Sequence, residues 1–192
     1  MSRRTNILVV LLIMPIFLVV PSIQGEDDHT AGEDTVWSTE TNGSATHLDS
    51  SITGKYAVVG TNPIWNSATS QFEQATIYLF ENSNSTPLWE FVIPSGGFQG
   101  VSISDNGDYL AAMSGWGENN VYLWSKNSSV PLWTYSYGEE IPSFTKISGN
   151  GEFILSAHSS GMMYFSRDSS TPLWTNNISF SESSGWNVNR MD

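Results

Sequence analysis

The residue types that most often carry out catalysis are few in this chain and lie far apart in sequence. The three histidines, His29, His47 and His158, form no H-E-x-x-H motif and no other metal-ligand spacing, so we interpret each as a surface or satisfied core residue. The absence of cysteine excludes disulfides, zinc–thiolate sites, iron–sulfur clusters and a cysteine nucleophile. The sequence also contains no nucleophile elbow, phosphate-binding loop or dinucleotide-binding motif. These observations predict a protein that is not an enzyme and that has no catalytic residue, cofactor or metal site.

Aromatic and acidic residues in polar segments are the candidates for binding. Two such segments are NPIWNSATSQFEQ at 62–74 and GWGENN at 115–120. Exposed aromatic rings can stack on carbohydrate or anchor a protein partner. The predicted ligand or partner face consists of Trp65, Phe72, Glu73, Phe98, Trp116, Glu118, Tyr137, Glu139, Glu140 and Trp186. The alternative is that these aromatics only cap the hydrophobic interior and the ends of the folded repeats.

The elements that must position this face repeat along the chain. The tripeptide Pro-Leu-Trp ends at Trp89, Trp133 and Trp174, so the tryptophans recur after 44 and 41 residues. A period of this length is typical of one four-stranded unit. We predict that the three tryptophans pack one unit against the next rather than bind a cofactor.

Each repeat also carries a turn glycine and an apolar run with a tyrosine. Hairpin signals recur around three glycines: Gly54, Gly107 and Gly151. The runs IYLF, VYLW and MYFS follow them, and their tyrosines, Tyr78, Tyr122 and Tyr164, precede the next proline by 9, 9 and 8 residues. The same order begins upstream, where Trp37 precedes the first of the glycines by 17 residues.

Four short strands are predicted in each repeat. In the second repeat they are FQGVSIS, DYLAAMS, NNVYLWS and PLWTYSY. The runs lack a strict alternation of apolar and polar residues, which indicates sheets covered on both faces. In an up-and-down sheet, the loop between the second and third strands lies at the same end as the link to the next sheet, and these are the segments that contain the predicted face.

The repeats resemble those of β-propellers. ISDNGDYLAAMS followed by NVYLWS resembles the WD40 pattern, and VYLWSKNSSVPLW is similar to the PQQ-type repeat of quinoproteins and their non-enzymatic relatives. The resemblance covers about residues 35–192 and implies an all-β fold: a β-propeller of four-stranded antiparallel blades. It implies three blades plus the start of a fourth, and the blade copies are expected at about 45–93, 98–137 and 142–177, with a partial copy at 186–192.

The repeats also depart from both patterns. Ser125, Lys126 and the tripeptide at 127–129 replace the Asp and Thr-Gly-Lys of the PQQ-type motif, and the Trp-Asp and Gly-His pairs of WD40 repeats are absent. No quinone-binding role can therefore be carried over to a residue of this chain. Because propellers typically close with four to eight blades, we expect a fragment of a longer protein, or alternatively short chains that assemble into a ring.

The N-terminal segment predicts export. A short basic start, an apolar run at 7–20 and small residues before an acidic stretch are the layout of a secretory signal peptide at 1–25, followed by an acidic, flexible lead-in at 26–34. The membrane is then involved only through the signal peptide or an uncleaved anchor. Four sequons, at Asn42, Asn84, Asn127 and Asn177, are candidate N-glycosylation sites in an exported chain. The net charge of −12 argues against nucleic acid as a partner.

Together these features predict a secreted or cell-surface protein that binds a protein or a glycan and does not catalyse a reaction. Two alternatives remain from the sequence. One is a fragment of a quinoprotein-like, PQQ-dependent oxidoreductase, which the PQQ-type half of the repeat suggests. The other is a purely structural array of blades within a longer envelope protein. The partners expected are a protein or glycan and, if the chain is incomplete, the remaining blades of the parent or further copies of itself.

Overall fold

Consecutive antiparallel strands begin where the apolar runs begin. The structure is a computed structural model that describes residues 36–68, 70–72 and 74–177. The first part of the chain contains β1 (Ser44–Ser50), β2 (Tyr56–Asn62), β3 (Trp65–Asn66), β4 (Gln71–Phe72), β5 (Ala75–Glu81) and β6 (Trp89–Ile93). The order β1-β2-β5-β6 forms the first four-stranded sheet, which we call blade 1, and β3 and β4 pair as a small separate hairpin in the β2–β5 loop.

Two further sheets repeat this arrangement. Blade 2 consists of β7 (Gly97–Ile103), β8 (Tyr109–Gly115), β9 (Asn120–Ser125) and β10 (Trp133–Ser136). Blade 3 consists of β11 (Pro142–Ile147), β12 (Phe153–His158), β13 (Gly161–Ser166) and β14 (Trp174–Asn177). Every pairing within the blades is antiparallel. The prediction of an all-β fold made of four-stranded antiparallel blades is confirmed over the described residues, in which no helix occurs.

The blades stack face to face, which explains the missing alternation in the sequence. In β8, Leu110 and Ala112 belong to an apolar cluster with blade 1, whereas Ala111 and Met113 belong to a cluster with blade 3. All four side chains are buried. Successive residues of a strand point to opposite faces, so a strand covered on both sides has no polar face.

The innermost strands are joined by a row of polar contacts. The Asp49 carboxylate on β1 accepts hydrogen bonds from the Ser102 hydroxyl on β7, at 3.0 Å, and from the backbone N–H of Ile103, at 3.1 Å. The Ser102 hydroxyl oxygen in turn accepts one from the backbone N–H of Ile147 in blade 3, at 3.3 Å. These bonds link the first strand of each blade to that of the next and set the spacing between them.

The repeated tryptophan joins the outer edges of the blades. The indole N–H of Trp89 donates to the backbone carbonyl of Lys126 in the next blade, and Trp133 donates to that of Arg167, both at 2.7 Å. The rings pack on Trp124 and Phe165 with interplanar angles of 35° and 34°. Each tryptophan thus combines aromatic packing with a hydrogen bond that satisfies its only donor.

The turn glycines allow a close approach between blades. Gly107 and Gly151 have φ values of +76° and +70°, a region that side chains with a Cβ rarely adopt. A Cβ on Gly107 would overlap the ring of Tyr56 in blade 1, and one on Gly151 would overlap Tyr109 in blade 2. The turns of blades 2 and 3 therefore lie directly on an aromatic ring of the preceding blade.

The tyrosine of blade 3 lies one position away from those of blades 1 and 2. Trp89 pairs with Leu79, and Trp133 pairs with Leu123, but Trp174 pairs with Tyr164. Tyr164 is therefore not equivalent to Tyr78 and Tyr122, in agreement with its spacing of eight residues, instead of nine, from the next proline. Phe165 packs under Trp133, and Tyr164 takes the position that a leucine has in the other blades.

Candidate functional site

The predicted binding residues that the structure describes lie at one end of the blades, which we call the loop face. It comprises the loops between the second and third strands together with the inter-blade links at 94–96 and 137–141. Hydrogen bonds connect loop to link: the Glu118 N–H donates to the Ser95 carbonyl at 3.4 Å, and the Asn119 side-chain amide donates to the Gly138 carbonyl at 2.7 Å. The loops and links therefore form one continuous surface.

Trp116 is the most exposed tryptophan of the loop face. Its side chain is 67% exposed, and its backbone has a φ of +61°, which is costly for a bulky residue. The following Gly117 lies so close to the backbone of Ser95 that a Cβ there would meet its carbonyl carbon at 2.9 Å. The tightly packed loop thus holds Trp116 in a strained conformation with its ring in solvent, an arrangement that suggests function.

Trp65 is a second exposed ring of the loop face, and it lies above blade 1. It lies in β3, is 53% exposed and pairs through the backbone with Phe72 in β4. A turn in which the Asn66 side chain accepts a hydrogen bond from the Ala68 N–H, at 3.0 Å, continues this hairpin. The expanded loop therefore raises a tryptophan above blade 1, as the GWGENN loop does above blade 2.

Glu118 is fixed by its neighbours. Its carboxylate accepts a hydrogen bond from the Tyr122 hydroxyl at 2.9 Å, and that hydroxyl oxygen accepts one from the Asn120 amide at 3.2 Å. Burial raises the pKa of Tyr122 to about 12, so the phenol keeps its proton at neutral pH. The Ser114 hydroxyl also donates to the Glu118 carbonyl. This network holds one carboxylate at a defined position on the loop face.

Glu140 holds the next link against blade 3. Its carboxylate accepts hydrogen bonds from the hydroxyls of Ser159, at 2.6 Å, and Ser160, at 2.5 Å. These two bonds lower the pKa of Glu140, whereas burial lowers the pKa of nearby His158. Glu139 is exposed beside them. The link thus holds the Glu140 carboxylate next to an imidazole that burial favours in its neutral form.

Two residues predicted for the face are instead buried. Phe98 is fully buried, because it is the second residue of β7 and packs in the cluster between blades 1 and 2. Tyr137 is 8% exposed, donates its hydroxyl to the Ser114 carbonyl and stacks on His158 at 5.8 Å. Burial raises its pKa. The prediction of an accessible ring is therefore wrong for Phe98 and Tyr137, since both support the loops from below.

The remaining predicted residues are only partly described. The backbone of Phe72 lies in β4, while Glu73 and Trp186 lie outside the described residues. The sequons Asn84 and Asn127 are exposed in turns between third and fourth strands, at the end opposite the loop face. Asn42 is exposed just before β1, and Asn177 is the last residue of β14.

The described residues contain neither a cluster of metal-ligand side chains nor a membrane-spanning helix. Over residues 36–177 as described, no group of three or more histidine, aspartate or glutamate side chains is placed to hold a metal ion. Within the same part of the chain, no helix has the length and apolar character needed to cross a membrane.

The sequence prediction did not find the Asp49–Ser102 contact, because a lone aspartate and a lone serine on separate strands carry no spacing signal.

Comparison with known proteins adds information about the fold. No protein-family model matches the chain, and no curated protein matches it. Among solved structures, the crystal structure of the C-terminal WD40 domain of Sif2 is similar with a TM-score of 0.53 and 14% sequence identity, over 68% of this chain. The match spans 33% of that longer chain. With its three stacked four-stranded blades, the described part of this chain has a β-propeller fold similar to that of a WD40 domain.

Proposed function

We propose that this protein is an exported, non-enzymatic β-propeller module that binds a protein partner at the cell surface through its loop face. The observation that carries the proposal is Trp116, which is held at a φ of +61° by a tightly packed loop while its ring remains 67% exposed. A bulky residue at positive φ is disfavoured, so its retention there supports a role for the exposed ring. Exposed, pre-positioned tryptophans are the residues that most often dominate binding energy at protein interfaces.

The charge distribution supports a basic partner. Three carboxylates lie on the loop face: Glu118, Glu139 and Glu140. The lysine and arginine residues of the described part of the chain, Lys55, Lys126, Lys146 and Arg167, all lie in or beside turns at the opposite end. This separation leaves the loop face negative and would favour association with a protein surface that combines basic and apolar side chains. Binding should therefore weaken as salt concentration rises.

The binding experiment compares the loop face with a matched surface. The immobilised protein is exposed to the extracellular and surface fraction of its source cells, and captured proteins are cross-linked and identified by mass spectrometry. We expect the Trp65→Ala, Trp116→Ala double variant to lose the cross-linked partner. The control is Val130→Ala, Leu132→Ala, which alters exposed apolar residues at the opposite end. Equal capture by both variants would contradict the proposal, and retention on immobilised glycans alone would favour a glycan ligand.

Two further measurements test the export and non-enzymatic parts of the proposal. N-terminal sequencing of protein recovered outside the cytoplasm should begin after residue 22 or 25, where small residues follow the apolar run. Titration with PQQ and Ca²⁺ should leave the absorbance and tryptophan fluorescence unchanged. A saturable change would instead support a quinoprotein-like oxidoreductase.

A further inference from the structure

The two outer blades each carry one face that lacks a neighbouring blade among the described residues. The leading face of blade 3 is formed by Phe153, Leu155, Tyr164 and Trp174. Its three rings stack in sequence, from Phe153 to Tyr164 and from Tyr164 to Trp174, each pair at 5.4 Å. Trp174 is 44% exposed, and its indole N–H has no acceptor within residues 36–177 as described. The leading face is therefore an aromatic surface of the type that blades 1 and 2 bury.

Among the described residues, the trailing face of blade 1 is covered by Trp37 and Ala45 of the same chain, which pack on the buried side chains of Val59, Tyr78 and Phe80. Trp37 donates its indole N–H to the Asn82 carbonyl at 2.7 Å and packs on Phe80 at an interplanar angle of 35°. This contact reproduces those of Trp89 and Trp133 with the following blades. Trp37 thus occupies the place that the outer-strand tryptophan of a preceding blade would take.

At the innermost strand, β1, the trailing face remains in solvent. Leu48 is 53% exposed, whereas its equivalent in blade 2, Val101, is 5% exposed because blade 1 covers it. Gly54 has a φ of +68°, as the other turn glycines do, but nothing lies within 4 Å of the position of a Cβ. In blades 2 and 3, the equivalent space holds Tyr56 and Tyr109.

We propose that two copies of this chain associate head to tail, with the leading face of one on the trailing face of the other. Trp174 of the first copy then replaces Trp37 of the second in the contact with Asn82 and Phe80. Phe153, which is equivalent to Tyr56 and Tyr109, packs on Gly54 of the second copy. Each contact is one that the chain already makes twice between its own blades.

Charge complementarity supports a second copy as the occupant. Lys146 lies on β11 at the position that Asp49 has on β1 and Ser102 has on β7. Within one chain, this row consists of the Asp49 carboxylate, the Ser102 hydroxyl and the Lys146 ammonium group. The Asp49 carboxylate accepts a hydrogen bond from the Ser102 hydroxyl. Continuing the row into a second copy brings Lys146 next to Asp49 of that copy. The two ends of the row therefore carry opposite charges.

Trp37 opposes this association because it belongs to the same chain as the site that it fills. A tethered group acts at a high effective concentration, so only the fraction of copies with Trp37 displaced can accept Trp174. Two copies joined at both ends contribute six blades, a number within the usual range for closed propellers. The inference is independent of the proposed function, because the loop face lies at a different side of the blades.

Sedimentation velocity of the full chain, from about 1 µM to about 500 µM, tests the proposal. We expect the mass to double with increasing concentration. Trp174→Ala should weaken association about thirtyfold, the factor typical of a central tryptophan. Trp37→Ala should strengthen association, because it removes the competing group. Leu132→Ala is the matched control, since Leu132 is an exposed apolar residue that belongs to neither the leading face nor the trailing face.

The charged pair provides a second test that does not perturb packing. Lys146 is exposed, so Lys146→Glu is expected to fold, as circular dichroism would verify. Association should weaken more in Lys146→Glu than in Lys146→Ala, and added salt should reduce the difference. A monomer at all concentrations in both the unaltered chain and Trp37→Ala would overturn the proposal. Association that is insensitive to both Trp174→Ala and Lys146→Glu would also overturn it.

Discussion

At the scale of single residues, the inter-blade tryptophans combine two interactions that substitution can separate. Trp133→Phe keeps an aromatic ring on Phe165 but removes the hydrogen bond to the Arg167 carbonyl. We expect the free energy of unfolding to fall by about 1 kcal/mol for the hydrogen bond, plus a smaller loss of packing, and by about 3–5 kcal/mol in Trp133→Ala. Urea unfolding followed by circular dichroism measures both. The control Trp116→Phe alters an exposed ring and should change stability by less than about 0.5 kcal/mol.

A second prediction at this scale concerns alkaline pH. The unfolded tyrosine loses its proton near pH 10, whereas burial raises the pKa of Tyr122 in the folded protein to about 12. Below pH 10 the phenol is protonated in both states, and its contribution to stability is fully present. Between these values the unfolded state releases its proton first, so stability falls as pH rises.

Comparison of urea unfolding at about pH 9 and about pH 11.5 should therefore show a loss of stability that Tyr122→Phe reduces. Tyr137, whose pKa burial also raises, would account for part of the remaining loss. The same pH dependence in Tyr122→Phe and in the unaltered chain would show that the Tyr122 hydroxyl is accessible to solvent.

At the scale of elements, substitutions in two equivalent turns distinguish the energetic cost of backbone strain from the cost of overpacking between blades. Gly54 and Gly107 both have positive φ, but only a Cβ on Gly107 would overlap a ring, that of Tyr56. Gly54→Ala should cost about 1–2 kcal/mol for the backbone conformation alone. Gly107→Ala should cost a further 1–3 kcal/mol, roughly, for overpacking. Thermal or urea unfolding of the two variants measures the difference, and equal losses would mean that Tyr56 moves aside freely.

The arrangement of strands into blades is the feature that the sequence predicts best. The spacing of Trp89, Trp133 and Trp174 predicted the blades because a residue that must meet the same contact in every repeat recurs at the repeat length. The exposure of Phe98 and Tyr137 could not be predicted in the same way. Both lie next to a strand boundary, where a shift of one residue decides whether a side chain points into the interior or into solvent.

The position of Tyr164 is likewise decided by packing. Phe165 lies beneath Trp133 of the preceding blade, so the neighbouring tyrosine faces the other side of the sheet. The contact of Asp49 with Ser102 was also beyond prediction, since it joins residues 53 positions apart through a polar pair that is common in any chain. Periodic contacts can thus be predicted from this sequence, whereas contacts made once depend on the folded geometry.

At the scale of the whole molecule, the three blades differ in how completely they are covered. Blade 2 packs on blade 1 through one cluster and on blade 3 through another, and the interior residues of β8 and β9 are buried from both sides. Among the described residues, blade 3 packs on a neighbouring blade only through the face toward blade 2, and the trailing face of blade 1 is covered by Trp37 and Ala45 instead of a blade. In stacked repeats, the stability of each unit includes the interfaces with its neighbours, so the central blade should be the most stable.

Hydrogen exchange measured by mass spectrometry should reveal this order. We expect amides in β8 and β9 to exchange at least about tenfold more slowly than those in β14, because opening the central blade breaks two inter-blade interfaces instead of one. If copies associate head to tail, protection of β14 should increase with protein concentration, whereas that of β8 should not change. Equal exchange rates in all three blades at every concentration would instead mean that the array unfolds as a single cooperative unit, with its end blades as stable as its centre.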